Sequence, residues 1–250
     1  MKKFVRYILP MWAYRPLGRL YSYFLALREG PRFVLRLAFG KGEMCHRFRT
    51  VTHPFVFPIN EENRKVVLGN FIRQEVLAGP LPAEAGFIVD AGGYIGDSAA
   101  LFLSRYPLAQ CVVLEPGLAH AWAEKNLKPY GARAMLRKAA LMSGPGSFQV
   151  LEAETGSRLV QAEAGDVEIM TMNDLLKLSP SGMIDLLKID IEGAELDLFK
   201  GPCDWLRSVG CVTIELHGQA AMKEIPEMLL KHGFKLSVHG SLTVAVRKAD

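Results

Sequence analysis

From Gly86 onward, short apolar runs alternate with segments whose apolar residues recur every three to four positions. Residues 87–91, 110–114, 133–140, 183–190 and 211–216 read as strands. Between them, residues 97–105, 118–127, 193–200 and a stretch stopping at Gly233 read as helices. The strand runs are almost continuously apolar, as expected of strands buried on both faces. Strands alternating with helices predict a parallel α/β sheet with helices on both faces. Two final runs, "FKLSVHG" and "LTVAVRK", join at Gly240-Ser241 and predict a closing antiparallel edge hairpin. Between the third strand and Met183, two short strands and a short helix are expected, the helix begun by Thr171 and Asp174 in capping-box spacing. Earlier in the chain, residues 62–77 read as a helix that Gly79-Pro80 terminates, and residues 41–65, with His53-Pro54 and Phe57-Pro58, read as irregular. There is no internal repeat.

Half of the 250 residues are hydrophobic and 22% are charged, enough for one large domain or a domain with an extension. The longest apolar runs near the start, residues 7–14 and 20–27, fall short of the ~18 to 20 residues that cross a membrane. Pro10, Arg15, Arg19 and the lack of a small-residue cleavage site argue against a signal peptide, so a cytoplasmic protein is expected.

The net charge of +4 is unevenly spread. Nine of the basic residues, Lys2 to Lys41, precede Glu43 with only Glu29 against them, which leaves the remainder slightly acidic. A nucleic-acid partner would need basic charge on the working domain, so none is expected. Arg15 and Arg19 share a helix face, as do Arg28, Arg32 and Arg36. Residues 1–40 could therefore lie on an anionic membrane surface, although a helical lid with solvated arginines is the plainer reading. The expected division is a basic amphipathic extension or lid over residues 1–60 and a catalytic domain over 61–250. Cys45, Cys111, Cys203 and Cys211 form no C-x-x-C pair and read as free thiols.

The candidate chemistry begins at "FIVDAGGYIGDSAALFL". In an open α/β sheet, ligands sit at the carboxyl ends of the strands, where Asp90 and the glycines Gly92, Gly93 and Gly96 fall. The glycines suggest a ligand that comes close to the backbone. The dinucleotide fingerprint G-x-G-x-x-G is missed at Ala91, which weakens a nicotinamide oxidoreductase. Asp90-x-Gly92-x-x-x-Gly96 fits an S-adenosylmethionine loop instead. Glu115, ending the second strand, can take both ribose hydroxyls of either nucleoside. Further on, Asp190, Glu192 and Glu195 follow the apolar strand in "LLKIDIEGAELDLF", where unpaired carboxylates are costly to bury. Glu192 and Glu195 could simply favour the next helix N-terminus.

At these blocks the sequence resembles the FkbM-type methyltransferases of the class I S-adenosylmethionine-dependent fold. The resemblance rests on "FIVDAGGYIGDSAALFLSRYP", "VVLEPGLAHAWAEKN", "KAALMSGPGSFQV", "IDLLKIDIEGAELDLF" and "WLRSVGCVTIELHG", spanning roughly residues 66–218. It implies a Rossmann-like, mostly parallel seven-stranded sheet. It also implies methyl transfer to a hydroxyl of a sugar, glycan or polyketide-like small molecule, with S-adenosyl-L-methionine as cofactor. The implied cofactor contacts are Asp90, Gly92, Gly93, Tyr94, Gly96 and Ser98 in the loop, Glu115 and Pro116 after the second strand, and Ala140 and Asp190. Where many such enzymes carry an adenine-binding Asp, "RKAALMS" offers Ala139 and Ala140, so backbone groups would serve there.

Methyl transfer is an in-line displacement that needs alignment and, for a neutral hydroxyl, a general base. The candidates at neighbouring strand ends are His217, Asp190 and Glu215, with His217 favoured by its ordinary pKa near neutrality. "DIEG" stands where adenine-N6 enzymes carry D/N-P-P-Y/F, and Pro202-Cys203 reads as a structural turn. No metal-ligand spacing stands out, although Asp190, Glu192 and Glu195 could attract a divalent ion. A non-catalytic membrane module that keeps the fold is the remaining alternative.

Overall fold

The computed structural model describes residues 11–153, 156–163 and 165–248. Lys2, Lys3 and Arg6 of the basic N-terminal segment lie outside the described residues.

The chain opens with α1 (Met11–Ala26), a 3-10 turn (Leu27–Glu29) and α2 (Pro31–Phe39). The stretch expected to be irregular instead pairs β1 (Glu43–His46) with β2 (Phe55–Pro58) as an antiparallel ribbon. The helix expected over residues 62–77 is also subdivided. It runs as α3 (Glu61–Val66), widens into a π-helical turn (Val67–Ile72), breaks at Gln74 with φ 56° and ends in a 3-10 turn (Glu75–Leu77). Arg73 N donates to Leu68 O, the five-residue step that defines the wider turn.

The main sheet is built from β3 (Phe87–Ala91), β4 (Gln110–Leu114), β5 (Ala134–Arg137), β10 (Ile184–Ile189), β11 (Val209–Glu215), β12 (Phe234–His239) and β13 (Leu242–Arg247). Its spatial order is β12-β13-β11-β10-β3-β4-β5. β3, β4, β5, β10 and β11 are parallel. The closing hairpin is antiparallel as expected, but β13 inserts between β11 and β12, so β12 forms the edge. The helices α4 (Asp97–Arg105), α5 (His120–Leu127), α6 (Met172–Leu178), α7 (Glu195–Lys200) and α8 (Gln219–Lys231) cover the sheet.

The third strand is shorter than its apolar run. The chain leaves the sheet after β5, and Ala139–Leu141 forms β6, which pairs with β9 (Glu168–Met170) away from the main sheet. Between these lies the hairpin β7 (Phe148–Ala153) and β8 (Gly156–Gln161). The capping box on α6 is present: Thr171 Oγ1 accepts from Asp174 N at 3.3 Å, and Asp174 Oδ2 accepts from Thr171 N at 3.1 Å.

Alternation along the central strands feeds two cores. Ile88, Cys111 and Val113 face one side with α4, α5 and the π-helical turn; Phe87, Val89, Val112 and Leu114 face the other with α6, α7 and α8. The first core extends into the N-terminal segment. Phe33, Leu37, Phe48, Phe55 and Phe57 belong to it, and Phe48 stacks on Phe71 with centroids 4.3 Å apart. Each fully buried phenylalanine contributes about 1.5–3 kcal/mol of transfer free energy, which holds α2 and the β1–β2 ribbon to the sheet. Cys111, Cys203 and Cys211 are buried free thiols and Cys45 is exposed. No helix among the described residues is long and apolar enough to cross a membrane.

Candidate active site

Strand order reverses at β3, which lies between β10 and β4. Crossovers leave on opposite sides there, and a crevice opens beyond the carboxyl ends of the strands. A cleft of about 330 Å³ fills this position. Its walls include Gly92, Tyr94 and Ser98 after β3, Glu115 and Pro116 after β4, Ala140 in β6, Asp190 after β10, and Glu215 and His217 at the end of β11. α3 and the π-helical turn close it with Glu62, Lys65 and Asn70. Of the residues expected at the site, Asp90, Gly93 and Gly96 lie outside the lining and shape it from beneath.

The glycines answer to the protein's own packing. A Cβ on Gly92, at φ 81°, would overlap the carbonyl oxygen of Asp190, and one on Gly93 would overlap the Val113 side chain. Both backbone N–H groups donate to Leu114 O, at 3.0 and 2.9 Å, pinning the loop to the end of β4. The close approach inferred from sequence is thus first an approach of one strand end to another. It brings Tyr94 (φ 46°) to the cleft wall. There burial, then Glu62, Asp97 and Glu115, push the phenol up to about 12.

Glu115 is buried yet lines the cleft. Its Oε2 accepts from Tyr94 N and its Oε1 from Gly117 N, both at 2.8 Å. These bonds fix the carboxylate at the cleft wall, at the end of β4.

Asp90 is fully buried and accepts from Ser98 Oγ. Beside it stands Lys188, which the sequence reading passed over. Lys188 pairs in register with Asp90 across β10 and β3. Its Nζ lies 3.2 Å from Asp90 Oδ1 and 3.6 Å from Asp190 Oδ2, and it donates to Gly92 O at 2.6 Å. Burial works to lower its pKa, but Asp90, Asp190 and Asp97 outweigh it and hold the ammonium well above its ordinary value. One lysine thus ties the β3 loop to the β10 end. The available signal was a lysine inside an apolar strand, "IDLLKI".

Asp97, the first residue of α4, was also missed. It is buried against the cleft and accepts from Asn70 Nδ2 at 2.6 Å. Burial raises its carboxyl to about 6, against the opposing effects of Asn70 and Lys188.

On the opposite wall, His217 Nδ1 donates to Glu195 Oε1 at 2.8 Å. Glu195 opens α7, is fully buried, and accepts from the backbone of Ile191 and Gly193 at 3.3 and 3.2 Å. The hydrogen bond to Glu195 is the chief cause that lifts His217 to about 9, with further help from Glu192 and Asp190. The chain turns here through left-handed Glu192 (φ 50°) and Gly193 (φ 98°), which brings Glu192 Oε2 to 3.8 Å from His217 Nε2. Burial, then Asp190, raises both Glu192 and Glu215 above the ordinary carboxylate range. Asp190, Glu192 and His217 can each aim one ligand atom within a 4.8 Å span, a spacing a divalent cation could bridge; Glu195 is turned to His217 instead.

Residues 90–236 match the family model of the methyltransferase FkbM domain, over half of the chain. The chain belongs to the FkbM methyltransferase family. It is an S-adenosylmethionine-dependent methyltransferase on a Rossmann-like sheet, which sets aside the dinucleotide reading. Among solved structures, it is similar to precorrin-6y C5,15-methyltransferase from Geobacter metallireducens at 15% identity and TM-score 0.47, covering 71% of this chain and 88% of that one. TrmK of M. capricolum, solved with S-adenosyl-homocysteine, aligns at 9% identity and TM-score 0.40 over 70% of this chain and 65% of that one. The METTL16 methyltransferase domain aligns at 11% and 0.42, over 75% and 68%. No curated protein matches the sequence. The family assignment rests on the sequence match, and the strand order agrees with it.

The cleft fits the cofactor. Glu115 offers a fixed carboxylate at the β4 end, and Leu114, Ala140 and Leu141 offer a small apolar surface for a flat base. Asp97, Asp190 and the backbone after Gly92 add polar groups to the same lining.

Proposed function

We propose that the enzyme methylates a hydroxyl oxygen of a sugar, glycan or polyketide-like small molecule, with His217 as general base. The observation that carries this reading is the tie from His217 Nδ1 to buried Glu195. It fixes the ring and its tautomer and leaves Nε2 as the nitrogen that takes a proton at the cleft. When bound, S-adenosylmethionine supplies a methyl group on a sulfonium, the electrophile for in-line displacement. The acceptor hydroxyl gives its proton to Nε2 as its oxygen attacks, and Asp190 and Glu215 orient neighbouring hydroxyls by accepting hydrogen bonds. The acidic lining disfavours a phosphodiester chain, which supports an uncharged acceptor.

The raised pKa alters the argument made from sequence, which favoured His217 for an ordinary value near neutrality. With a pKa of about 9, only about 1% of the ring is neutral at pH 7. The neutral ring is correspondingly a stronger base. On a panel of glycosides and polyketide-like alcohols, release of S-adenosylhomocysteine should rise about tenfold per pH unit and level off near pH 9. His217→Ala should remove that rise and slow turnover by about 10²–10⁴-fold, while calorimetric binding of S-adenosylhomocysteine is kept. Unchanged turnover in the variant would exclude the base role, and turnover of amines alone would exclude a hydroxyl acceptor. Activity lost to a chelator and restored by Mg²⁺ would put a cation at Asp190, Glu192 and His217 and also exclude the direct base.

A further inference from the structure

Among the described side chains, α1 and α2 are each anchored by one face and expose the other. Ser22 and Ala26 of α1 and Phe33 and Leu37 of α2 are buried. On the outer side, Leu20, Phe24 and Leu27 follow at helical spacing, 66%, 67% and 48% exposed, and Leu35 and Phe39 repeat the step on α2 at 60% and 82%. With Tyr21, six of the exposed large apolar side chains among the described residues fall within residues 20–39. The folded core does not use them, and a concentration of this kind marks an interaction surface.

The charge around them is predominantly positive. Arg19, Arg28, Arg32, Arg36 and Lys41 are exposed. Glu29, the one acid before Glu43, is turned inward to His46 at 3.2 Å, with its side chain 2% exposed. Arg28 and Arg36 each donate to a backbone carbonyl, of Ile72 and Glu43, which holds them beside the apolar stripe without neutralising them. Among the described residues, Arg19 is the one of these that meets an acid, Glu61 at 3.5 Å, and both are exposed.

We propose that this face docks the enzyme peripherally on an anionic lipid membrane. Phe24, Leu35 and Phe39 enter the boundary between headgroups and acyl chains, and the arginines meet lipid phosphates and carboxylates. The predominantly positive charge around an apolar stripe selects anionic lipid over a second copy of this chain, whose matching face would repel it. The docking face is also bonded to the cleft wall. Arg28 donates to Ile72 O and Arg73 donates to Ser22 Oγ, both at the C-terminal end of the π-helical turn that carries Asn70. On the hydroxyl-acceptor reading above, docking brings the cleft to a lipid-borne or membrane-dissolved acceptor.

The test is co-sedimentation of the full chain with phosphatidylcholine vesicles and with vesicles that also contain phosphatidylserine, across a salt series. Binding is expected only with phosphatidylserine, weakening as salt rises. Phe24→Ser with Phe39→Ser, and separately Arg32→Glu, should each reduce partitioning at least about tenfold. Calorimetric binding of S-adenosylhomocysteine should persist in both variants, which certifies their fold and separates docking from the reaction. Failure of the wild-type chain to bind anionic vesicles would overturn the proposal, as would binding indifferent to these substitutions. A wild-type dimer that Phe24→Ser with Phe39→Ser dissociates would assign the face to self-association and overturn it too.

Discussion

Replacing Asp97 with Asn should stabilise the fold and weaken cofactor binding. The carboxyl is buried, and its pKa rises from 3.8 to about 6 chiefly because the charged form is desolvated. At ~1.4 kcal/mol per pH unit, keeping it ionised at pH 7 costs about 3 kcal/mol of folding free energy. The folded state holds the proton more tightly than the unfolded chain. Its contribution is therefore fully favourable below about pH 4 and lost as pH rises to about 6. The amide in Asp97→Asn has no charge to desolvate, and its carbonyl can still accept from Asn70. The gain over wild type should thus be near zero at pH 4, grow to as much as about 3 kcal/mol by pH 6, and stay level above. Urea unfolding of both proteins from pH 4 to 8 measures the difference directly, because acid effects elsewhere cancel. Calorimetry with S-adenosylhomocysteine should show a weaker complex, since Asp97 lines the cleft. A gain independent of pH, or none at pH 7, would refute the claim that Asp97 is held ionised against its burial.

Lys188→Met should be far more costly, because it strands Asp90 in a fully buried position without its cation. A loss of about 3–5 kcal/mol in urea unfolding is expected, with partial recovery on adding Asp90→Asn; a loss below about 1 kcal/mol would show that the pair is not the tie between the strand ends. Gly92→Ala places a Cβ against the Asp190 carbonyl at positive φ, so the two strand ends must part. Its S-adenosylhomocysteine affinity should fall at least about tenfold, and affinity within about twofold of wild type would show that the loop does not depend on that approach.

The parallel sheet was legible because its strands are buried on both faces, which writes each as a short apolar run. Pairing across the sheet leaves no such local trace. The run "AMLRKAALM" reads as one strand, yet the chain leaves the main sheet at Lys138, and Ala139 pairs with Glu168, a partner no local pattern identifies. The β1–β2 ribbon was missed because its prolines suggested loop, while its reason to exist is the phenylalanine cluster it covers. The π-helical turn differs from α-helix only in its hydrogen-bond step, which apolar periodicity does not record.

The acids Asp190, Glu192 and Glu195 show the same limit at the site. Their sequence spacing suggests one acidic patch, but the left-handed turn at Glu192 and Gly193 separates their surroundings. Asp190 faces Lys188, Glu192 stands beside the cleft opposite His217, and Glu195 is carried behind the imidazole, fully buried. A continuous helix would have placed Glu192 and Glu195 on one face, three residues apart. Glu195 and His217 are 22 residues apart in sequence, and only the parallel pairing of β10 with β11 brings them to one cleft wall. The chemistry of that wall therefore depends on strand register as much as on residue type: the carboxylate expected to favour a helix N-terminus is the one that makes His217 a strong base.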